Sequence, residues 1–152
     1  MKEFTFMAAM YIMAGFTLEV FFTAISHITD GRWTSQDKYL TGTTYLWMMP
    51  VYGLSFPLIF VPLYHQIHDA PMILRYIVWA IMISGIEWIS GYLYAKTIGF
   101  CPWNYRDSRW KIGEAGYTRW DFVPLWGLFG LFMEWYTGLL GAVLPSALRY
   151  LN

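Results

Sequence analysis

The sequence has few charged residues and almost no cysteine. Only 13% of its 152 residues are charged, about half the share usual in soluble domains, and the formal net charge is zero. Because no basic or acidic excess is present, we expect no nucleic-acid partner. The single cysteine, Cys101, excludes a disulfide within the chain. Gly-rich phosphate loops and Walker sequences are also absent, which excludes an ATPase or a self-contained primary transporter.

Hydrophobic residues are abundant instead, at 57%, and aromatic residues reach 21%. Aromatic side chains concentrate where membrane proteins meet the two water interfaces. A helix needs about 20 mostly apolar residues to cross the hydrocarbon core. The sequence therefore predicts an all-α integral membrane protein, a four-helix bundle in which residues 1–152 form a single four-span domain in the inner or plasma membrane. The predicted spans are 4–28, 44–64, 72–96 and 122–149.

The distribution of Lys and Arg predicts the orientation. The loops 29–43 and 97–121, with Lys96 at the edge of the second, carry seven basic residues. The opposite side carries three, which are Lys2, Arg75 and Arg149. Since basic residues favour the cytoplasmic side, both loops are expected in the cytoplasm and both termini outside.

The two halves of the sequence share a pattern. Residues 50–54 and 124–128 both read Pro, a variable residue, an aromatic, Gly and Leu. An acid precedes each pattern within the preceding span, Glu19 before the first and Glu87 before the second. These features predict a parallel two-helix repeat. Chance recurrence of Gly and Pro, which are common in membrane helices, is the alternative.

Three glutamates fall inside the predicted spans. Measured from the centres of their spans, Glu19, Glu87 and Glu134 lie within about one helical turn of the same depth. A charge at the bilayer centre costs about 2.5–3.5 kcal/mol, so such residues normally face the protein interior and serve a function. We expect the three to share one pocket as a ligand-binding or proton-relay site. The alternative is that each is protonated and joins neighbouring helices by hydrogen bonds.

Polar neighbours are expected to complete this pocket. Thr23 and His27 follow Glu19 at helical spacing and share its face. Tyr52 and Ser55 reach a similar depth on the second span.

Two histidines, His65 and His68, have the spacing of a metal pair. They lie in a short turn that offers no third or fourth ligand. We expect neither a metal nor a cofactor.

The loop after the third span is dense in proline and aromatic residues. Non-helical backbone near membrane depth is tolerated where protein buries it or water reaches it. The loop 97–121 is therefore predicted to be partly re-entrant, as a lid over the carboxylates, with an ordinary interfacial loop as the alternative. The lid residues are Pro102, Trp103, Asn104 and Tyr105.

Pro50 and Pro57 interrupt the second span. Pro50 and Pro57 are about two turns apart, and each removes a backbone donor. They predict a bend or local unwinding around Gly53.

The run from Glu87 through Gly91 to residues 101–105 resembles the transmembrane protein 229 family, which is related to the CmpB-type family of ABC-transporter permeases. The resemblance extends over all four spans. Asn104 stands where the family usually has an acid, which argues against a charge supplied by the loop. Further matching residues are Glu19, Val20, Phe22, Thr23, Ala24, Tyr52, Gly53, Pro124, Trp126, Met133 and Glu134. The resemblance implies a four-helix polytopic membrane protein.

The leading functional hypothesis is a permease-like component. It would bind a small cationic, protonatable or lipid-derived ligand at the carboxylates. An intramembrane acid–base enzyme on a lipophilic substrate is one alternative, and a structural accessory subunit is another. Besides the lipid bilayer, the expected partners are further copies of the chain or other subunits of a larger membrane complex.

Overall fold

The computed structural model describes residues 1–29 and 40–150, and of residues 27–29 only the backbone. Helices dominate these residues. They are α1 Lys2–Thr29, α2 Met48–Ser55, a π-helical turn Phe56–Phe60, α3 Val61–Ile67, α4 Met72–Thr97, a 3₁₀ turn Trp120–Phe122 and α5 Val123–Tyr150.

The described residues contain four helical segments that are long and apolar enough to cross a membrane. Large apolar side chains along them are exposed, among them Phe21 at 63%, Ile81 at 67% and Trp135 at 62%. Apolar surface on this scale is unfavourable in water and is accommodated by lipid. The prediction of an all-α, multi-pass membrane protein with four spans is thereby confirmed.

The second span departs from regular α-helix. Pro50 lies in the first turn of α2, where backbone donors have no helical partner, so its missing N–H disturbs nothing. Pro57 is different, because its ring displaces the bond that would reach the Gly53 carbonyl four residues earlier. The chain widens there into the π-helical turn Phe56–Phe60. The predicted irregularity therefore exists, but it begins three residues after Gly53, at Pro57 and not at Pro50.

The helices form two compact units, Met1–Ile59 and Phe60–Asn152. The boundary falls within the π-helical turn. The single four-span domain stays a prediction.

In the first unit, α1 packs against α2. Tyr11 of α1 is completely buried and stacks on Phe56, with ring centroids 4.9 Å apart. Gly53 lets the helices approach, since a Cβ there would lie 2.8 Å from Cδ1 of Ile12. Close contact of these helices positions the polar residues near the end of α1.

In the second unit, α4 packs against α5. Trp79 of α4 is completely buried, and its ring stacks on Phe60 with centroids 4.1 Å apart. Two glycines of α5 make room for α4. A Cβ at Gly127 would press on the ring of Tyr76, and one at Gly130 would overlap Trp79.

The loop between α4 and α5 folds back on itself. Lys111 and Arg119 form an isolated antiparallel bridge. The amide of Tyr105 donates to the carbonyl of Gly116 at 3.1 Å. Gly116 has φ +63°, and a Cβ there would lie 2.6 Å from the backbone nitrogen of Arg106. Because only glycine fits, this close crossing holds the two segments of the loop together.

Candidate functional site

Glu87 of α4 is held by three hydrogen-bond donors. The hydroxyl of Thr118 and the indole N–H of Trp126 donate to Oε2, the latter at 3.0 Å. The phenol of Tyr105 donates to Oε1 at 3.3 Å. Thr118 is only 2% exposed, so its hydroxyl has no access to bulk water. Glu87 thus joins α4, the loop and α5 at one point.

Tyr105 is a permanent donor in this cluster. Burial, and secondarily the neighbouring Glu87, raise the pKa of Tyr105 well above its ordinary value, so the phenol keeps its proton. The guanidinium of Arg119 lies 5.6 Å from the centre of the Tyr105 ring. Its charge is paired with Asp121, to which its Nε donates at 2.9 Å. The donors that contact Glu87 are therefore neutral.

The lid predicted from the sequence comprises Pro102, Trp103, Asn104 and Tyr105. Tyr105 alone among them bonds to Glu87. Pro102 is buried, and Trp103 donates its indole N–H to the carbonyl of Tyr117 at 2.8 Å. Asn104 is exposed, and its side chain accepts from the amide of Arg106 at 3.0 Å. The first three residues shape the loop, whereas Tyr105 contacts the carboxylate.

Glu19 of α1 has a similar environment in the first unit. The hydroxyls of Thr44 and Tyr52 donate to its Oε2 at 2.8 and 2.9 Å. Thr23 binds the segment beside it, because Thr23 Oγ1 accepts from the amide of Thr43 at 2.8 Å. Thr23 therefore supports the cluster by holding the chain that carries Thr44.

The two glutamate clusters are equivalent in sequence and in contacts. The first cluster consists of Glu19, Thr44 and Tyr52, and the second consists of Glu87, Thr118 and Trp126. In each, the threonine lies eight residues before the aromatic donor, and both donate to one carboxylate oxygen. The predicted repeat thus recurs as a repeated set of hydrogen bonds inside each unit.

Glu134 of α5 has different partners. It is 7% exposed, forms an ion pair with Arg75 and accepts the indole N–H of Trp79 at 2.6 Å. Trp79, which bonds to Glu134, lies eight residues before Glu87 on α4. Trp126, which bonds to Glu87, lies eight residues before Glu134 on α5. Eight residues of helix rise about 12 Å, so the two sites are about 12 Å apart along the helices.

The expectation of one shared pocket is therefore wrong for Glu87 and Glu134. Depths measured from span centres assume that the centres of neighbouring helices align. Here α5 is staggered along α4 by about 12 Å, so two acids at equal distances from their span centres lie at different levels. Sequence alone contains no measure of this stagger.

An open groove of about 530 Å³ lies beside the Arg75–Glu134 pair. Its other lining residues are Tyr64, His68, Leu131, Trp135, Gly138 and Leu139. Sequence reasoning used Arg75 only for orientation and missed it as a site residue. The signal that could have found it is an arginine inside the first turn of a predicted span, a position where a charge is costly.

Ser55 and His27 were also predicted as site residues. Ser55 is half-buried in the last turn of α2 and is not among the described donors to Glu19. The side chain of His27 lies outside the described residues. Thr44, Thr118 and Trp126 escaped prediction, although the eight-residue spacing from threonine to aromatic was readable in both halves.

The three carboxylates thus differ in charge compensation. Within the described parts of the chain, Glu19 and Glu87 contact neutral donors and no cation, whereas Glu134 is paired with Arg75. A membrane carboxylate without a positive partner gains from binding a proton or a cation.

The family described as "Putative ABC-transporter type IV" matches residues 4–148. This match confirms the CmpB-type part of the resemblance drawn from the sequence, while the relation to the transmembrane protein 229 family stays a prediction. No curated protein and no solved structure matches the chain significantly.

Proposed function

We propose that this chain, which belongs to the ABC-transporter type IV family, is a permease-like component that binds a small cationic or protonatable ligand at Glu19 and Glu87. Family membership and four membrane-capable helices support the permease-like role. One observation carries the ligand proposal. Two equivalent carboxylates, one in each unit, are held by neutral donors without a cation in the described residues.

The argument for a positive ligand is electrostatic. Hydrogen bonds from Thr118 and Trp126 orient Glu87 but bring no cation into contact with it, and the Arg119 guanidinium that attracts it from a distance is itself paired with Asp121. An ionised carboxylate at membrane depth costs about 2.5–3.5 kcal/mol. A proton or a bound cation removes that cost. Glu134 is excluded from the proposed cation site, because Arg75 already supplies its positive charge.

No specific observation favours the enzyme alternative. In inverting glycosidases, for example, the acid and the base that act through an intervening water stand about 6.5–9.5 Å apart. Glu87 and Glu134, the two membrane carboxylates of the second unit, are separated by about 12 Å. A purely structural role for the glutamates is one outcome of the experiment below.

Transport of the ABC type would also require a partner. The sequence has no nucleotide-binding motif, so ATP hydrolysis would come from another chain. We expect an ATP-hydrolysing subunit to co-purify with the chain from native membranes.

The ligand proposal is tested by binding of tetraphenylphosphonium, a lipophilic cation, to the purified protein in detergent. Glu87→Gln and Glu19→Gln should each weaken binding about tenfold or more, because the amide retains hydrogen-bonding capacity without the charge. Acidification should weaken binding to the unmodified protein, since protons compete for the same oxygens. Glu114→Gln, at an exposed loop position, is the matched control and should leave binding unchanged.

Two results would contradict the ligand proposal. If the double Gln variant binds the cation as well as the unmodified protein, the carboxylates do not form the site. If the cation does not bind at all while Glu87→Leu unfolds the protein, the glutamates act as structural links between helices.

A further inference from the structure

The Arg75–Glu134 groove contains neither Glu19 nor Glu87, so its occupant is a question separate from the proposed cation site. The groove lies near one end of the second unit. Arg75 is three residues from the start of α4, while Tyr64 and His68 lie in the last turn of α3 and just after it. On α4 this level is the first turn of the membrane-capable segment Met72–Thr97, where a span enters the headgroup region.

Arg75 lines the groove and has hydrogen-bond donors beyond the one that pairs with Glu134. One terminal nitrogen pairs with Glu134, whereas its Nε is buried and has no hydrogen-bond partner among the described residues. A guanidinium presents Nε and its other terminal nitrogen as a planar fork that matches two oxygens of a phosphate. A buried donor without a partner is costly, so an oxyanion at this edge would be stabilising.

A cation is not the expected occupant. Both oxygens of Glu134 are engaged, one by Arg75 and the other by Trp79. The remaining polar groups at the shallow end, the phenol of Tyr64 and the imidazole of His68, can donate to an anion.

The rest of the groove is apolar. Leu131 lies about one turn deeper than Glu134, whereas Trp135 and Leu139 follow Glu134 toward the shallow end. Trp135 and Leu139 are 62% and 45% exposed, which at membrane depth means contact with acyl chains. A polar end that suits phosphate thus continues directly into a wall that suits hydrocarbon.

We propose that this groove binds a glycerophospholipid, with the phosphodiester on Arg75 and an acyl chain along Trp135 and Leu131. The phosphate accepts from the guanidinium, and a shift of the Arg75 side chain on binding would bring the buried Nε into contact with it. Tyr64 and His68 contact the headgroup from the opposite side of the groove. Free phosphate shares the headgroup chemistry but would leave the apolar wall unused.

The experiment is native mass spectrometry of the purified protein in detergent, titrated with three probes. They are phosphatidylglycerol, diacylglycerol with the same chains, and inorganic phosphate. Phosphatidylglycerol should remain bound, diacylglycerol should not, and inorganic phosphate should fail to displace the lipid at equal concentration.

The first test variant is Arg75→Lys, which keeps the positive charge for Glu134 but removes the fork. Phosphatidylglycerol affinity should fall about tenfold or more. Arg149→Lys is the control, because it makes the same change on an exposed arginine outside the groove.

A second variant tests the lipid site independently, in case Arg75→Lys fails to fold. Gly138→Leu fills the groove from α5 without touching the ion pair, since only the Tyr64 hydroxyl, at 4.0 Å, lies near a Cβ there. Its control is Gly141→Leu, one turn further, where a Cβ meets open space. Only Gly138→Leu should lose the lipid.

Three results would overturn the lipid site. The first is undiminished lipid binding by Arg75→Lys or, should that variant not fold, by Gly138→Leu. The second is equal binding of diacylglycerol, which would remove any role for phosphate. The third is displacement by an equal concentration of inorganic phosphate, which would make free phosphate the occupant.

Discussion

Gly130 holds the place on α5 where any side chain would overlap Trp79 of α4. Trp79 is completely buried and donates its indole N–H to Glu134 at 2.6 Å. Gly130→Ala should therefore push the indole away from the carboxylate. The ring cannot move outward easily, since its face is stacked on Phe60.

The magnitude follows from three contributions. Overpacking of a well-filled interior costs about 1–3 kcal/mol. Loss of a hydrogen bond to a charged group costs about 1.5–3 kcal/mol. The better helix propensity of alanine offsets about 1 kcal/mol. The expected net loss in free energy of unfolding for Gly130→Ala is about 1.5–5 kcal/mol.

The assay is thermal unfolding in detergent, followed by circular dichroism. At about 2–4 °C per kcal/mol for a chain of this size, Gly130→Ala should lower the Tm by at least about 3 °C. Gly141→Ala is the control on the same helix, and its Cβ meets open space, so its Tm should stay equal or rise. Equal Tm values for the two variants would show that Gly130 is not a packing constraint.

Four further predictions concern the loop between α4 and α5. Thr118→Val should lower the free energy of unfolding by about 1.5–3 kcal/mol, measured by the same melts, because it removes one of the three donors to the half-buried Glu87. Gly116→Ala should lower the Tm more than Gly113→Ala; both have positive φ, but only the first would collide with backbone. A maleimide at pH 7 should label Cys101 far more slowly than a cysteine at exposed Glu114, because burial raises the pKa of Cys101 and leaves less thiolate. An impermeant maleimide should reach the introduced cysteine only from the cytoplasmic side, and labelling from outside would reverse the predicted orientation.

The spans were predictable because a membrane helix satisfies its own backbone, so length and hydropathy suffice to find it. The presence of an irregularity in the second span was predictable, since proline removes a backbone donor wherever it stands. The position of that irregularity was not predictable, because the effect of Pro50 depends on where α2 begins. That start is set by the chain just before Met48, which carries no proline or capping signal of its own.

The candidate site was only partly predictable. Membrane carboxylates are expensive, so sequence alone identifies Glu19, Glu87 and Glu134 as residues that need partners. The choice of partner depends on the stagger of α5 along α4, which results from packing around Gly127 and Gly130. Arg75 therefore meets Glu134 rather than remaining an interfacial charge, and no local pattern in the sequence encodes that contact.

The repeated helix pair also shows where the two halves have diverged. Counted with the numbering offsets that relate the two glutamate clusters, the positions of Arg75, Trp79 and Glu134 correspond to Met7, Tyr11 and Phe60 in the first half. The glutamate clusters are thus duplicated, whereas the ion pair belongs to one half alone. A chimera made of two second halves would carry two Arg–Glu ion pairs without Tyr64 and His68, and a chimera of two first halves would carry no such pair. Such hybrids would separate the ion pair from the duplicated glutamate clusters.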